Sequence, residues 1–420
     1  MKTKGLMKSA GIYTGSNIVT AAIPFLLLPI LTRVLSPADY GIVAMFGIMV
    51  SIFSAFTGLG AQGALEVRYF EQERIDLPRY AASCLLILMA STAMVLLCTF
   101  LSKGILESMS GVPGDWLMIA VLVAAMQFVV LARLLLWQVS KQAWKYGAMQ
   151  IGQSGLNAGL SLWLVLVIGL AWEGRTLGIV IASAIVMVIA AASLWRDGWI
   201  RSPISLEYIK DALRFGVPLI PHMLGGLLIA AVDRIMVTNI LGVSQTGIYT
   251  VAMQIGMVLS LLTGAFNRAY APWLFEHLKN RDGAQKIQIV RYTYLYFLLL
   301  IVMALSLGLL APAILSVLVG EAFRTGAEVV IYVAAGFAFG GMYFMVTNYV
   351  FLAGATARLA IITLTSGVIN VVATYLLISK FGLAGAGYGF MGSQAVLFLG
   401  TWYLANKVWP MPWKKALTEW

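Results

Sequence analysis

Leu35-Ser36-Pro37-Ala38-Asp39-Tyr40-Gly41-Ile42 follows one long apolar run, and Leu241-Gly242-Val243-Ser244-Gln245-Thr246-Gly247-Ile248 follows another, 206 residues later. That offset is close to half of the 420-residue chain. A second correspondence closes each half: Lys145 and Asn157 match Arg358 and Asn370 at an offset of 213, and Gly169-Leu170-Ala171 matches Gly382-Leu383-Ala384 at the same offset. The chain therefore reads as a duplication, with an N-terminal half at 1–205 and a C-terminal half at 206–420.

Between these markers the sequence is overwhelmingly apolar. Hydrophobic residues make up 61% and charged residues 11%, against roughly 25% charged in an ordinary soluble domain. A water-soluble globule cannot hide so much apolar surface, and a disordered chain would not contain it. A spanning helix needs about 20 apolar residues. The runs at 10–32, 41–64, 80–101, 115–137, 147–170, 176–195, 213–239, 247–270, 291–311, 328–352, 359–379 and 384–405 each meet that length. The expected fold is an all-α polytopic membrane protein, twelve helices in two six-helix bundles. An even helix number per half puts the repeats in the same topology, an arrangement transporters use to build a cavity between halves that rock.

The net charge of +11 is placed by topology. Odd-numbered connections hold Arg33, Lys103, Arg175, Arg324 and Lys380, while most of the 28 basic residues fall in the N-terminus, the even-numbered connections and the C-terminal tail. By the positive-inside rule both termini face the cytoplasm. No nucleic-acid partner is needed to explain the charge. The apolar run after Lys2, Lys4 and Lys8 is too long for a signal peptide and reads as a retained first helix.

Scarce residues exclude much chemistry. Two histidines and two cysteines cannot assemble a His/Cys metal cluster, and Cys84 and Cys98 lie about 21 Å apart along a helix, too far for a disulfide. No phosphate-binding loop or dinucleotide fingerprint is present, so no cofactor is expected. Candidate site residues are instead polar groups inside spans, which should face a protein interior rather than lipid. Asn17 shares span one with Pro24 and Pro29, whose rings favour a kink. Span five carries Gln150, Gln153, Ser154, Asn157 and Ser161 on one broad face, and span eleven carries Thr363, Ser366, Asn370 and Thr374. Most such groups serve as helix–helix glue.

Span seven places His222, Gly226 and Asp233 on one face, with Arg234 beside the acid. Arg68 closes span two and Arg268 closes span eight, its repeat partner, so the two could share an anionic ligand. Either could equally be a positive-inside anchor. Arg33, at the opposite mouth, runs against the charge rule and is the candidate for an outer gate.

Thr32-Arg33-Val34-Leu35-Ser36-Pro37-Ala38-Asp39-Tyr40-Gly41 resembles the segment after the first helix in Wzx-type O-antigen and polysaccharide flippases. Leu213-Arg214-Phe215-Gly216-Val217-Pro218-Leu219-Ile220-Pro221-His222 resembles the opening of their second half, as does Asp233-Arg234-Ile235 with Leu241-Gly242 and Gly247-Ile248-Tyr249. The family belongs to the multidrug, oligosaccharidyl-lipid and polysaccharide exporter superfamily. The resemblance implies two six-helix lobes around a central cavity in a bacterial inner membrane. It also implies transport of undecaprenyl-diphosphate-linked oligosaccharide, with a glycan polymerase or chain-length protein as partner.

Such a cargo leaves its prenyl tail among the membrane lipids while diphosphate and sugars cross inside the protein. Arg68, Arg268 and Arg234 are the expected diphosphate ligands, because a guanidinium fork matches phosphate oxygens. Tyr13, Asn17, Asn157, His222 and Asn370 are expected to face the glycan or the cavity. Asp233 is the expected coupling site for protons or sodium, since burial and a neighbouring cation act on a carboxylate in opposite directions. The rivals are a multidrug antiporter, which would carry more acidic cavity residues, and a peptidoglycan-precursor flippase, which commonly has two further helices. A membrane-embedded polymerase or glycosyltransferase would need a larger extramembrane loop with acid/base residues.

Overall fold

The computed structural model describes residues 3–200, 204–278 and 283–418. Helices account for nearly all of them, and there is no strand among the described residues. The chain divides into two compact units, Met1–Ala231 and Val232–Trp420. The first contains α1 (Thr3–Val34), α2 (Pro37–Phe56), α3 (Ala61–Arg68), α4 (Leu77–Leu101), α5 (Lys103–Ser110), α6 (Gly114–Val139), α7 (Ala143–Leu166), α8 (Trp172–Arg196) and α9 (Leu206–Gly216). The division falls within α10 (Ile220–Leu241). The second unit continues with α11 (Val243–His277), α12 (Gly283–Leu318), α13 (Ala327–Leu352), α14 (Thr356–Val408) and α15 (Trp413–Thr418).

The repeated motif is a helix start made by two different chemistries. Ser36 caps α2: its hydroxyl accepts the Asp39 N–H at 3.1 Å, and the Asp39 carboxylate accepts the Ser36 N–H at 3.0 Å. Pro37 fills the first helical position, where no N–H is required. In the second copy Gly242 makes the turn with φ of 94°, a region that a residue without Cβ enters freely. The Thr238 and Thr246 hydroxyls bond at 2.7 Å across it.

Among the described residues nine helices are long and apolar enough to cross a membrane, and a bent pair, Leu206–Leu227 with Ala230–Leu241, would make ten. That is short of the expected twelve for two reasons. The polar face of α7 keeps it out of the set despite its 24 residues. Helix α14 runs for 53 residues but contains a non-helical Gly382, where two helices join. Several spans turn most of their apolar surface outward: in α1, α4, α12 and α14 only 22% of the apolar window is buried inside the protein. A helix apolar on all sides and this exposed needs lipid around it.

The expected second span at 41–64 is broken. Helix α2 ends at Phe56, and Gly58, Leu59 and Gly60 all have positive φ before α3 begins. The Gly58 N–H is satisfied by Ser91 Oγ at 2.8 Å, and a Cβ on Gly58 would strike the Phe128 ring. A Cβ on Gly60 would come within 3.0 Å of Gly216 Cα, where α9 crosses the break. The segment was legible only as an apolar stretch, because the two glycines are needed for contacts with α6 and α9.

Candidate functional site

The first unit gathers several expected residues on α1 and α7, which pack together. Gly147 lets the helices approach, since a Cβ there would lie 3.3 Å from Ile12 and 3.5 Å from Ser16. Around that point the Tyr13 and Tyr146 rings meet edge to face with centroids 5.0 Å apart. Gln150 Nε2 donates to Asn17 Oδ1 at 2.9 Å. The Tyr13 hydroxyl is buried without a hydrogen-bond partner among the described residues. Tyrosine rings and carboxamides are the groups that bind sugar faces and hydroxyls, and here four of them lie within a membrane-length layer.

Further along α7, Asn157 Oδ1 and Ser161 Oγ both accept from Arg175 Nη1, at 2.6 and 2.7 Å. Asn370, its counterpart at the 213-residue offset, is buried and accepts the Thr374 hydroxyl at 3.1 Å, and its amide nitrogen has no partner among the described residues. In the sequence Arg175 stands out only as a basic residue in a connection. The signal that could have found it is the glycine pair Gly174 and Gly178, which lets α8 press against α7.

Arg68 is held within a network. Its Nε and Nη2 donate to the two Asp211 oxygens at 2.9 and 2.7 Å, and its Nη1 donates to Glu71 at 2.8 Å. The Tyr80 hydroxyl also donates to Asp211, at 2.8 Å. The hydrogen bond to Asp211 raises the affinity of the guanidinium for its proton, against the opposing effect of burial. Arg268, exposed on α11, pairs with no carboxylate among the described residues. The two arginines expected to act alike therefore stand in different environments. Arg33 is exposed at the end of α1.

Asp233 is buried in the second unit. Its carboxylate accepts the Tyr249 hydroxyl at 2.7 Å and the backbone N–H of Arg234 at 2.8 Å. Arg234 is half-buried on the next face of α10. The side chain of His222 lies outside the described residues.

One buried arginine was missed altogether. Arg133 is 1% exposed within α6, pairs with Asp197 and stacks 4.4 Å over the Trp137 ring. Paired with a carboxylate and stacked on an indole, it fits a structural role. An apolar crevice of about 790 Å³ lies beside the 57–60 break, lined by Phe53, Phe56, Leu59, Leu86, Met94 and Leu213 among others. Hydroxyls are its only polar side chains apart from a thiol, so it offers nothing to a charged headgroup.

A family model described as polysaccharide biosynthesis protein matches residues 6–278. Among curated proteins, "Lsg locus putative protein 1" of Haemophilus influenzae is 24% identical over 376 residues, covering 87% of this chain and 90% of that one. An "uncharacterized membrane protein" of the same organism is 25% identical over 375 residues, covering 87% and 88%. Among solved structures, lipid II flippase MurJ in an inward closed conformation superposes with a TM-score of 0.77 at 13% identity, covering 98% of this chain and 89% of that one. An inward-facing multidrug resistance MATE family transporter of the MOP superfamily gives 0.67 at 16% identity, covering 93% of each. The expected all-α polytopic membrane fold is the one observed, and it is MATE-like.

Proposed function

The chain belongs to the polysaccharide biosynthesis protein family, and from that membership we propose that it flips a lipid-linked oligosaccharide across a bacterial inner membrane by alternating access. The cargo in this reading is an undecaprenyl-diphosphate-linked repeat unit of O-antigen or a related polysaccharide. The protein acts as a transporter and not as an enzyme. The halves that rock are 1–205 and 206–420, with both termini in the cytoplasm.

The observation that carries this reading is α7. It has membrane length, yet it devotes a face to Gln150, Gln153, Asn157 and Ser161. Carboxamides at such depth are costly unless they meet polar partners. Two of them meet Asn17 and Arg175, and Tyr13 and Tyr146 lie alongside. This is a surface suited to hydroxyl-rich cargo and poorly suited to an apolar drug.

Arg68, Arg268 and Arg234 take the diphosphate in this proposal, with Arg33 at the outer gate. Arg68 must exchange Asp211 for phosphate to do so, and the similar geometry of the two oxyanions makes that exchange feasible. Asp233 couples the cycle to protons or sodium. A polymerase or chain-length protein in the same membrane receives the product.

Gene disruption tests the function. Lipid-linked oligosaccharide should accumulate facing the cytoplasm, and the surface polymer should disappear. Normal surface glycan with increased drug sensitivity would favour a multidrug antiporter instead. Arrested peptidoglycan synthesis would favour a precursor flippase.

A further inference from the structure

The helix crossing that carries Asn157 is built twice in this chain. In the first unit, Gly178 of α8 lies against Ser161 of α7 so closely that a Cβ would collide, and a Cβ on Gly174 would come within 3.1 Å of the Leu164 backbone. In the second unit, Gly389 lies against Thr374 and Gly385 against Leu377 in the same way, across the kink at Gly382. Asn157, Ser161 and Leu164 match Asn370, Thr374 and Leu377 at an offset of 213, and the two glycines match at 211. At that second offset Arg175 corresponds to Ala386, which is fully buried. The crossing therefore closes with alanine, and the packing frame does not require arginine.

What Arg175 does in its own unit is unusual for a structural arginine. Both of its side-chain hydrogen bonds leave from Nη1 and go to neutral oxygens, on Asn157 and Ser161. No carboxylate pairs with it among the described residues, although Glu173 is two positions away on the same helix. The Nε–Nη2 edge has no protein acceptor among the described residues. The Tyr40 phenol lies within electrostatic reach. Arg68 shows the use of that edge in this protein: Nε and Nη2 together hold both oxygens of Asp211. Arg175 also stands in the first turn of α8, where the positive end of the helix opposes a cation and favours an anion.

We propose that Arg175, oriented by Asn157 and Ser161, is a binding site for an oxyanion whose two oxygens take the Nε–Nη2 edge. Its ligand is a phosphate group, from the diphosphate of the cargo or from an acidic phospholipid headgroup. The first source rests on the function proposed above; the site does not.

The test uses the full chain in phosphatidylcholine nanodiscs, treated with phenylglyoxal and mapped by mass spectrometry, with exposed Arg196 as internal reference. Undecaprenyl diphosphate, phosphatidylglycerol or pyrophosphate is added in turn. A charge-assisted bidentate contact should slow modification of Arg175 about tenfold relative to Arg196 at saturating ligand. Protection by undecaprenyl diphosphate alone identifies the cargo as the source. Protection by phosphatidylglycerol as well identifies a headgroup site, and protection by pyrophosphate shows that the phosphate suffices without a lipid. Equal modification with every probe would overturn the site.

Arg175→Ala supplies the second arm, because the other copy of the crossing already accommodates alanine. That variant should remain monodisperse with a melting temperature near the parent's, and it should bind the protecting probe about tenfold more weakly. Unchanged affinity also overturns the proposal. A disruption strain with normal surface glycan would sink the transport reading and leave both of these outcomes interpretable.

Discussion

Tyr249 donates a hydrogen bond to Asp233 at 2.7 Å, and both side chains are buried in the second unit. The Asp233 carboxylate thus accepts from a phenol and from a backbone N–H. Two roles remain distinct in their consequences. A structural acid holds α10 to α11 through Tyr249, whereas a coupling acid must also take up and release a cation during the cycle.

Replacing Tyr249 with Phe removes the donor and leaves a buried oxygen unpaired, at a cost of about 1–3 kcal/mol. The melting temperature in detergent should fall accordingly. Asp233→Asn keeps an acceptor for Tyr249, so the fold should survive, alone or combined with Arg234→Gln. Under coupling, these folded variants lose flipping driven by an imposed ion gradient in proteoliposomes. Normal gradient-driven flipping would reduce Asp233 to a helix tie.

Arg68 and Asp211 are 27% and 33% exposed at their side chains, so solvent screens much of their attraction. Arg68→Gln should therefore cost only about 1 kcal/mol of stability. Surface glycan should fall far more than membrane protein level does, both in this variant and in Arg268→Gln. Lys at either position should rescue in part, because it lacks the bidentate fork. Full surface glycan in both Gln variants would leave these arginines as topology anchors.

Gly216 has an ordinary helical φ of −81°, so alanine there is strained only by what it touches. A Cβ would collide with the Leu59 carbonyl oxygen at the 57–60 break. Gly216→Ala should lower stability by about 1–3 kcal/mol, as an overpacked core does. Gly104→Ala in α5, where nothing lies within 4 Å of a Cβ, is the control and should leave the melting temperature almost unchanged. Equal melting temperatures for the two variants would mean that α9 does not lie against the break.

Orientation is open to cysteine labelling in a background lacking Cys84 and exposed Cys98. Single cysteines introduced within 66–79, 196–212 and 271–290 should react only when reagent reaches the cytoplasm. Labelling of any of them from outside would reverse the topology and the gate assignments with it.

Local information accounts for a large part of the fold. Ser36, Pro37 and Asp39 contain within four residues everything a helix start needs, and the structure uses all three. Apolar runs of membrane length needed no partner to be read, because lipid is the solvent that buries them. The matching glycines Gly169 and Gly382 both have positive φ, as a shared turn requires. Residues that satisfy one another across helices were a different matter. Arg68 meets Asp211 at a separation of 143 residues, and Gly58 is fixed by Ser91 and Phe128 on two other helices. Asp233 and Arg234 are neighbours in sequence, yet consecutive residues on a helix point about 100° apart, and the phenol that reaches the Asp233 carboxylate comes from Tyr249 on the next helix. Periodicity and caps are properties of a short stretch of chain and follow from its own sterics. Which polar group completes another depends on how helices cross, and that was decided only when small residues such as Gly147, Gly178 and Gly216 let particular helices touch.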